Sequence, residues 1–141
     1  MDIEIALEIA LKAHRNQKDK GGTPYILHPL AVMNRVETIN EKIVAVLHDV
    51  VEDTEILLED LRSYGFQEEI INAVDGLTRR VDEPYDEFID RVKNNSISRI
   101  VKLADIQENM DLSRLRDITD EDYKRNEKYQ IALEKLNNFP G

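Results

Sequence analysis

Apolar residues along this chain recur at intervals of three and four and rarely alternate with polar ones. That spacing lines one face of an α-helix and leaves little material for half-buried strands. Residues 2–17 put Ile3, Ala6, Leu7, Ala10, Leu11 and His14 along one such face. A polar loop follows at 18–27, marked by Gly21, Gly22 and Pro24. His28-Pro29 opens a second helix, with Leu30, Val32, Met33 and Val36 toward the core and Asn40 at its end. Residues 41–52 form the most apolar helix, carrying Ile43, Val44, Val46, Leu47, Val50 and Val51, and are expected at the centre of the bundle. Further helices are expected near 56–64, stopped by Gly65, and from Gln67 to Leu77. Others run from Pro84 to Lys93, over about 97–111 after a Ser96 cap, and over 120–137 as a highly charged amphipathic helix. The expectation is an all-α protein, one compact domain over 1–141 with about seven or eight helices. A chain of 141 residues suffices for one such core.

Charge narrows the function. The formal net charge is −10, which argues against nonspecific binding to a nucleic-acid backbone. An acidic protein that holds a phosphorylated ligand needs a local cation, and a bound metal supplies one. The absence of cysteine removes disulfides, thiolate metal sites and cysteine nucleophiles, and fits a reducing compartment. No charged-then-apolar leader opens the chain and no apolar run approaches a membrane span, so it is read as cytoplasmic, with no membrane partner. The sequence gives no oligomeric state.

The segment L-H-D-V-V-E-D-T, Leu47 to Thr54, sets one imidazole and three carboxylates into the central helix. Glu52 lies four residues after His48, and Asp53 four after Asp49, so each pair shares a face on neighbouring turns. His48 and Asp49 diverge by about 100° around the axis, and a metal at that edge is within reach of both. Asp105 and Asn109 form a second pair at spacing four in an otherwise apolar helix, where a carboxylate is costly to bury unless a cation or donor meets it. Plainer readings stand beside these. Glu52, Asp53 and Thr54 could simply end one helix and cap the next. Asp105 could be solvent-exposed, His14 could favour a helix end electrostatically, and Lys18 and Lys20 could be loop surface. No G-x-S-x-G elbow, Walker or dinucleotide glycine pattern, or H-E-x-x-H occurs. What remains is a mixed imidazole and carboxylate set, suited to a divalent metal such as Mn²⁺, Mg²⁺, Fe²⁺ or Zn²⁺.

Four motifs in order carry a resemblance: A-H-R-N-Q-K-D-K-G-G-T-P-Y-I-L-H-P-L, A-V-L-H-D-V-V-E-D-T, V-D-G-L-T-R and I-V-K-L-A-D-I-Q-E-N-M. Together, over about residues 14–112, they resemble the hydrolase domain of the RelA/SpoT alarmone proteins, within the HD phosphohydrolase superfamily. The small stand-alone Mesh1-like members look nearest, since 141 residues leave no room for the synthetase domain of the long members. The resemblance implies a metal, usually Mn²⁺, on His28, His48, Asp49 and Asp105. It implies catalytic carboxylates at Glu52 and Asp53, and substrate contacts from Asn109 and from the loop cations Lys20 and Lys18. His14 matches a family histidine that is not a ligand. The implied reaction removes the 3′-pyrophosphate of guanosine tetra- or pentaphosphate, so the implied partner is an anionic nucleotide. Four positions depart from the pattern. Asp19 stands where an Arg usually packs on guanine, Ile106 where a basic residue follows the Asp, Glu108 where Tyr or His precedes the Asn, and Asp111 where a basic residue is common. A hydrolase of another phosphorylated nucleotide or small phosphoester, and a non-catalytic metal-binding module, are the competing readings. Glu52, Asp53 and Asn109 count against the last, because a structural metal does not need them.

Overall fold

A computed structural model of the chain describes residues 2–110 and 118–138. Eight helices run through the described residues: α1 (Asp2–Ala13), α2 (Leu27–Asn34), α3 (Ile39–Asp53), α4 (Leu58–Ser63), α5 (Glu68–Gly76), α6 (Tyr85–Val92), α7 (Ser96–Asn109) and α8 (Asp120–Asn137). No strand occurs among them, only a backbone bridge between Lys18 and Pro24. The all-α expectation therefore holds. Asp111, one of the four departures, lies outside the described residues.

The central position of the most apolar helix also holds. α3 packs against α1, α2, α5 and α7. Ile43, Val44, Ala45, Val46, Leu47 and Val50 are all buried, as a helix apolar on nearly every side requires. α8 lies against α6 and α7 and closes the other side.

Three boundary expectations are corrected. Asn40 does not end α2. That helix stops at Asn34, and Thr38 caps α3: its hydroxyl accepts from the Glu41 amide at 3.1 Å while the Glu41 carboxylate accepts from the Thr38 amide at 3.1 Å. This reciprocal pair is a capping box, which satisfies two helix-end donors at once. Ser96 is inside α7, and Asn95 is the cap, accepting from the Ser98 amide at 3.0 Å. On α1, Leu11 is 53% exposed and Ile9 takes the core position with Ala6 and Ala10. The helix also ends at Ala13, before His14.

Gly76 shows how closely two helices meet. A Cβ there would lie 2.8 Å from the Ser98 hydroxyl oxygen of α7. Ser98 is fully buried, and its hydroxyl donates to the Ala73 carbonyl at 2.7 Å, so it cannot swing away without losing that bond. Gly76→Ala is expected to cost about 1–3 kcal/mol by overpacking. A thermal melt should show a loss of roughly 3–10 °C at this chain size, and an unchanged melt would contradict this packing.

Candidate metal centre

His28 sits in the first turn of α2, His48 and Asp49 on α3, and Asp105 on α7. Because these three helices pack on one another, one donor atom from each of the four residues lies within 4.8 Å of the others. His28 Nε2 is 2.7 Å from Asp105 Oδ1. His48 Nε2 is 3.3 Å from both Asp105 Oδ1 and Asp49 Oδ2. Three of the four are buried, and Asp49 is half-buried.

Neighbouring groups orient each donor. The Ala45 carbonyl lies 2.6 Å from His48 Nδ1, which assigns the proton to Nδ1 in the neutral ring and turns the Nε2 lone pair to the cluster. Lys102 donates to Asp105 Oδ2 at 3.0 Å and leaves Oδ1 to the histidines. The Tyr25 hydroxyl donates to Asp49 Oδ2. Such outer contacts fix ligand geometry at metal sites. Two imidazole nitrogens and two carboxylate oxygens at this spacing fit one divalent cation.

Electrostatics agrees with that fit. Burial disfavours a charged His48 ring, yet Asp49 and Asp105 outweigh it and hold its pKa up to about 9. Burial alone would raise the Asp105 carboxyl, but Lys102 and the two histidines hold it well below the usual range. Lys102 is raised because Asp105 overcomes its burial. Without a metal, then, the acids of this cluster draw positive charge from a proton on His48 and from Lys102. A bound divalent cation would take over that role.

The acidic pair lies further along α3. Glu52 is exposed, and its carboxylate accepts from the Arg79 amide at 3.3 Å. Asp53 is also at the open edge. Partial burial of its carboxyl, with the Asp49 and Glu52 charges, pushes its pKa up to about 6. The Asn109 amide lies 3.5 Å from Asp105 Oδ1, beside the cluster.

The loop cations divide. Lys20 Nζ is 2.5 Å from the Asp122 carboxylate on α8. Lys18 is exposed and lines a hollow with Leu11, Arg15 and Pro24. His14 stays out of the cluster: it is buried, contacts Gln17 at 2.9 Å through Nδ1, and tilts against the Tyr25 ring. The three described departures have structural roles. Asp19 accepts from the Gly21 and Thr23 amides, each at 2.9 Å, and so closes its own loop. Ile106 is fully buried, and Glu108 pairs with Arg35 at 2.6 Å.

Sequence reasoning missed a basic wall. Lys128 of α8 lies 4.3 Å over the Tyr85 ring and 5.7 Å from the Tyr129 ring, and Arg79 lies 5.6 Å over Tyr85. Burial lowers the Lys128 pKa, and so do the charges of Arg79, Arg125 and Lys102. Like charges are thus gathered here against their mutual repulsion, and Lys128 pairs with no carboxylate among the described residues. The buried Tyr85 hydroxyl has no partner among them either. These residues come from three separate parts of the chain, so no spacing rule could find them. Tyr25 and Lys102 left a fainter signal, since both stand inside quoted motifs, three residues before a cluster member.

Fold and donor set together define an all-helical protein built around a His–Asp cluster. A family model described as "HD domain" matches residues 6–137. The chain belongs to the HD-domain family, and it is homologous to the hydrolase domains of RelA/SpoT proteins. It is 33% identical over 121 residues to a guanosine-3′,5′-bis(diphosphate) 3′-pyrophosphohydrolase of Borreliella burgdorferi, covering 74% of this chain and 18% of that one. It is 38% identical over 82 residues to a protein of the same name from Aquifex aeolicus, covering 55% of this chain and 12% of that one. It is 44% identical over 81 residues to a GTP pyrophosphokinase of Streptomyces coelicolor, covering 55% and 9%. The chain thus spans 9% to 18% of the length of these relatives. A solved structure described as a metazoan ortholog of SpoT that hydrolyzes ppGpp superposes with a TM-score of 0.78 at 24% identity, over 97% of this chain and 86% of that one, a likeness of fold. Among the described residues no helix is long and apolar enough to cross a membrane.

Proposed function

We propose that this chain is a Mn²⁺-dependent hydrolase that removes the 3′-pyrophosphate from guanosine 3′,5′-bis(diphosphate) or the pentaphosphate, giving GDP or GTP and pyrophosphate. The observation that carries this reading is the set of four donors within 4.8 Å, with two further carboxylates on α3, Glu52 and Asp53, that are not part of it. The names of the Borreliella and Aquifex relatives support the substrate.

In this reading His28, His48, Asp49 and Asp105 hold the metal. When bound, the metal withdraws charge from a phosphoryl oxygen and makes water a better nucleophile near neutral pH. The protein's own groups do the rest. Glu52, aimed by the Arg79 amide, orients the attacking water and takes its proton. The water oxygen bonds to the phosphorus attached to the ribose O3′. The bond from that phosphorus to O3′ breaks, and Asp53 returns a proton to O3′. Asn109 holds the substrate beside Asp105. Lys20, Lys18 and the wall of Arg79, Lys102, Arg125 and Lys128 offset the substrate's negative charge, which a chain of net charge −10 would otherwise repel.

One observation favours a second reading, an HD hydrolase of another phosphorylated nucleotide. The Asp19 carboxylate is occupied within its own loop and offers no cation or ring to a purine. A substrate panel with Mn²⁺ added separates the two. Guanosine tetraphosphate, its adenosine counterpart and simple nucleoside monophosphates are compared, with pyrophosphate and orthophosphate measured separately. Pyrophosphate from the guanosine compound in preference to the others is the expected outcome. Equal rates on both bases, or orthophosphate from a monophosphate, would favour the second reading.

A further inference from the structure

Asp122 is an unusual helix cap. It is the third residue of α8 and is completely buried. Its Oδ2 accepts from the Thr119 amide at 2.9 Å and the Thr119 hydroxyl at 3.0 Å, which completes the capping box. Its Oδ1 is not needed for that cap. It lies 2.5 Å from Lys20 Nζ and 3.3 Å from an Arg125 guanidinium nitrogen. A buried carboxylate is costly unless cations meet it, and here two do, one of them 102 residues away in the chain.

The location matters as much as the pairing. Lys20 belongs to the loop that leads to Tyr25 and His28. Arg125 belongs to the basic wall, where its charge acts on Lys128 and on the Tyr129 hydroxyl, which also feels Asp105. One residue further on, the Asn126 amide donates to the Met110 carbonyl at 3.2 Å, which ties α8 to the end of α7 next to Asn109. Asp122 therefore joins two elements that flank the metal cluster. An ammonium has three N–H donors, so Lys20 keeps donors for an incoming anion while Asp122 holds it.

We infer that Asp122 is a positioning residue for substrate: its Oδ1 sets Lys20 and Arg125 side by side at the mouth of the metal centre, so that both meet the anionic groups of the nucleotide. This inference rests on the proposed phosphohydrolase reading. Lys20 and the Thr119 donors hold the Asp122 carboxyl down to about 2, so it stays ionised at any working pH. Asp122 acts through the two cations and touches no substrate itself.

The test uses Asp122→Asn, which keeps an oxygen for the cap and loses the charge. In the full chain with Mn²⁺, KM for guanosine tetraphosphate is expected to rise about tenfold, the size of one lost charge-assisted contact. The turnover number and the Mn²⁺ Kd should stay within about twofold. In a Lys20→Met, Arg125→Met background the same change should add little to KM, because both cations it positions are already gone. Calorimetric Kd values for inorganic pyrophosphate should move in parallel. Unchanged KM and pyrophosphate Kd in Asp122→Asn, with only the melting temperature lowered, would reduce Asp122 to a cap and overturn the inference. An equal rise in KM in both backgrounds would overturn it too. If the parent protein turns over no guanosine tetraphosphate, the proposed function fails, and the pyrophosphate titrations still decide the role of Asp122.

Discussion

Asp49→Ala is expected to abolish both metal binding and turnover. Asp49 supplies one of the four donor atoms, and its Oδ2 is the one that Tyr25 orients. Removing an outer contact at a metal site typically lowers metal affinity about 10–100-fold, and removing a donor itself should exceed that. His48→Ala should behave alike, since it deletes a donor held by the Ala45 carbonyl at 2.6 Å. The apo form of Asp49→Ala is expected to stay folded, because the substitution relieves the repulsion that Asp49 exerts on Asp53. Calorimetry with Mn²⁺, a turnover assay with Mn²⁺ added and a thermal melt of the apo protein check metal binding, activity and folding in turn. A folded Asp49→Ala protein with parent-like Mn²⁺ affinity would remove Asp49 from the ligand set.

The second large effect separates chemistry from binding. Glu52→Gln with Asp53→Asn is expected to keep the metal and lose about 10²–10⁴ in turnover number, the usual contribution of positioned acid–base groups. Both changes preserve shape. Partial burial and crowded charges push the Asp53 carboxyl up, so removing these charges should leave the fold at least as stable as the parent near neutral pH. Neither residue is among the four clustered donors. Parent-like turnover in the double variant, with metal bound, would end the catalytic assignment of this pair.

Much of this fold was legible because helices write their faces into the sequence at spacings of three and four. The central role of α3 followed from six apolar residues within twelve, and α8 was expected over the span it occupies. Caps were less legible. Thr38 and Asn95 act through one side-chain hydrogen bond each, and neighbouring Asn40 and Ser96 offer the same chemistry one or two positions away. Leu11 and Ile9 lie on opposite flanks of the apolar face of α1, and only the position of α3 decides which is buried.

The candidate site divides the same way. His48, Asp49, Glu52 and Asp53 share one helix, so spacing grouped them. Asp105 stands 57 residues from His48 and 77 from His28. Periodicity says nothing about contacts between helices, and only the motif resemblance linked these residues before the structure brought them together. The wall of Arg79, Arg125 and Lys128, and the Lys20–Asp122 pair, had neither spacing nor motif to announce them. They exist only because α8 folds back over α7 and the loop before α2.

Hydrolysis of guanosine 3′,5′-bis(diphosphate) in ¹⁸O-labelled water tests metal-assisted attack of water on phosphorus most directly. The Mn²⁺-loaded protein should yield GDP and pyrophosphate in equal amounts, with one heavy oxygen in the pyrophosphate and none in GDP. Heavy oxygen in GDP, orthophosphate as the sole product, or no turnover by protein that has bound its metal would contradict it.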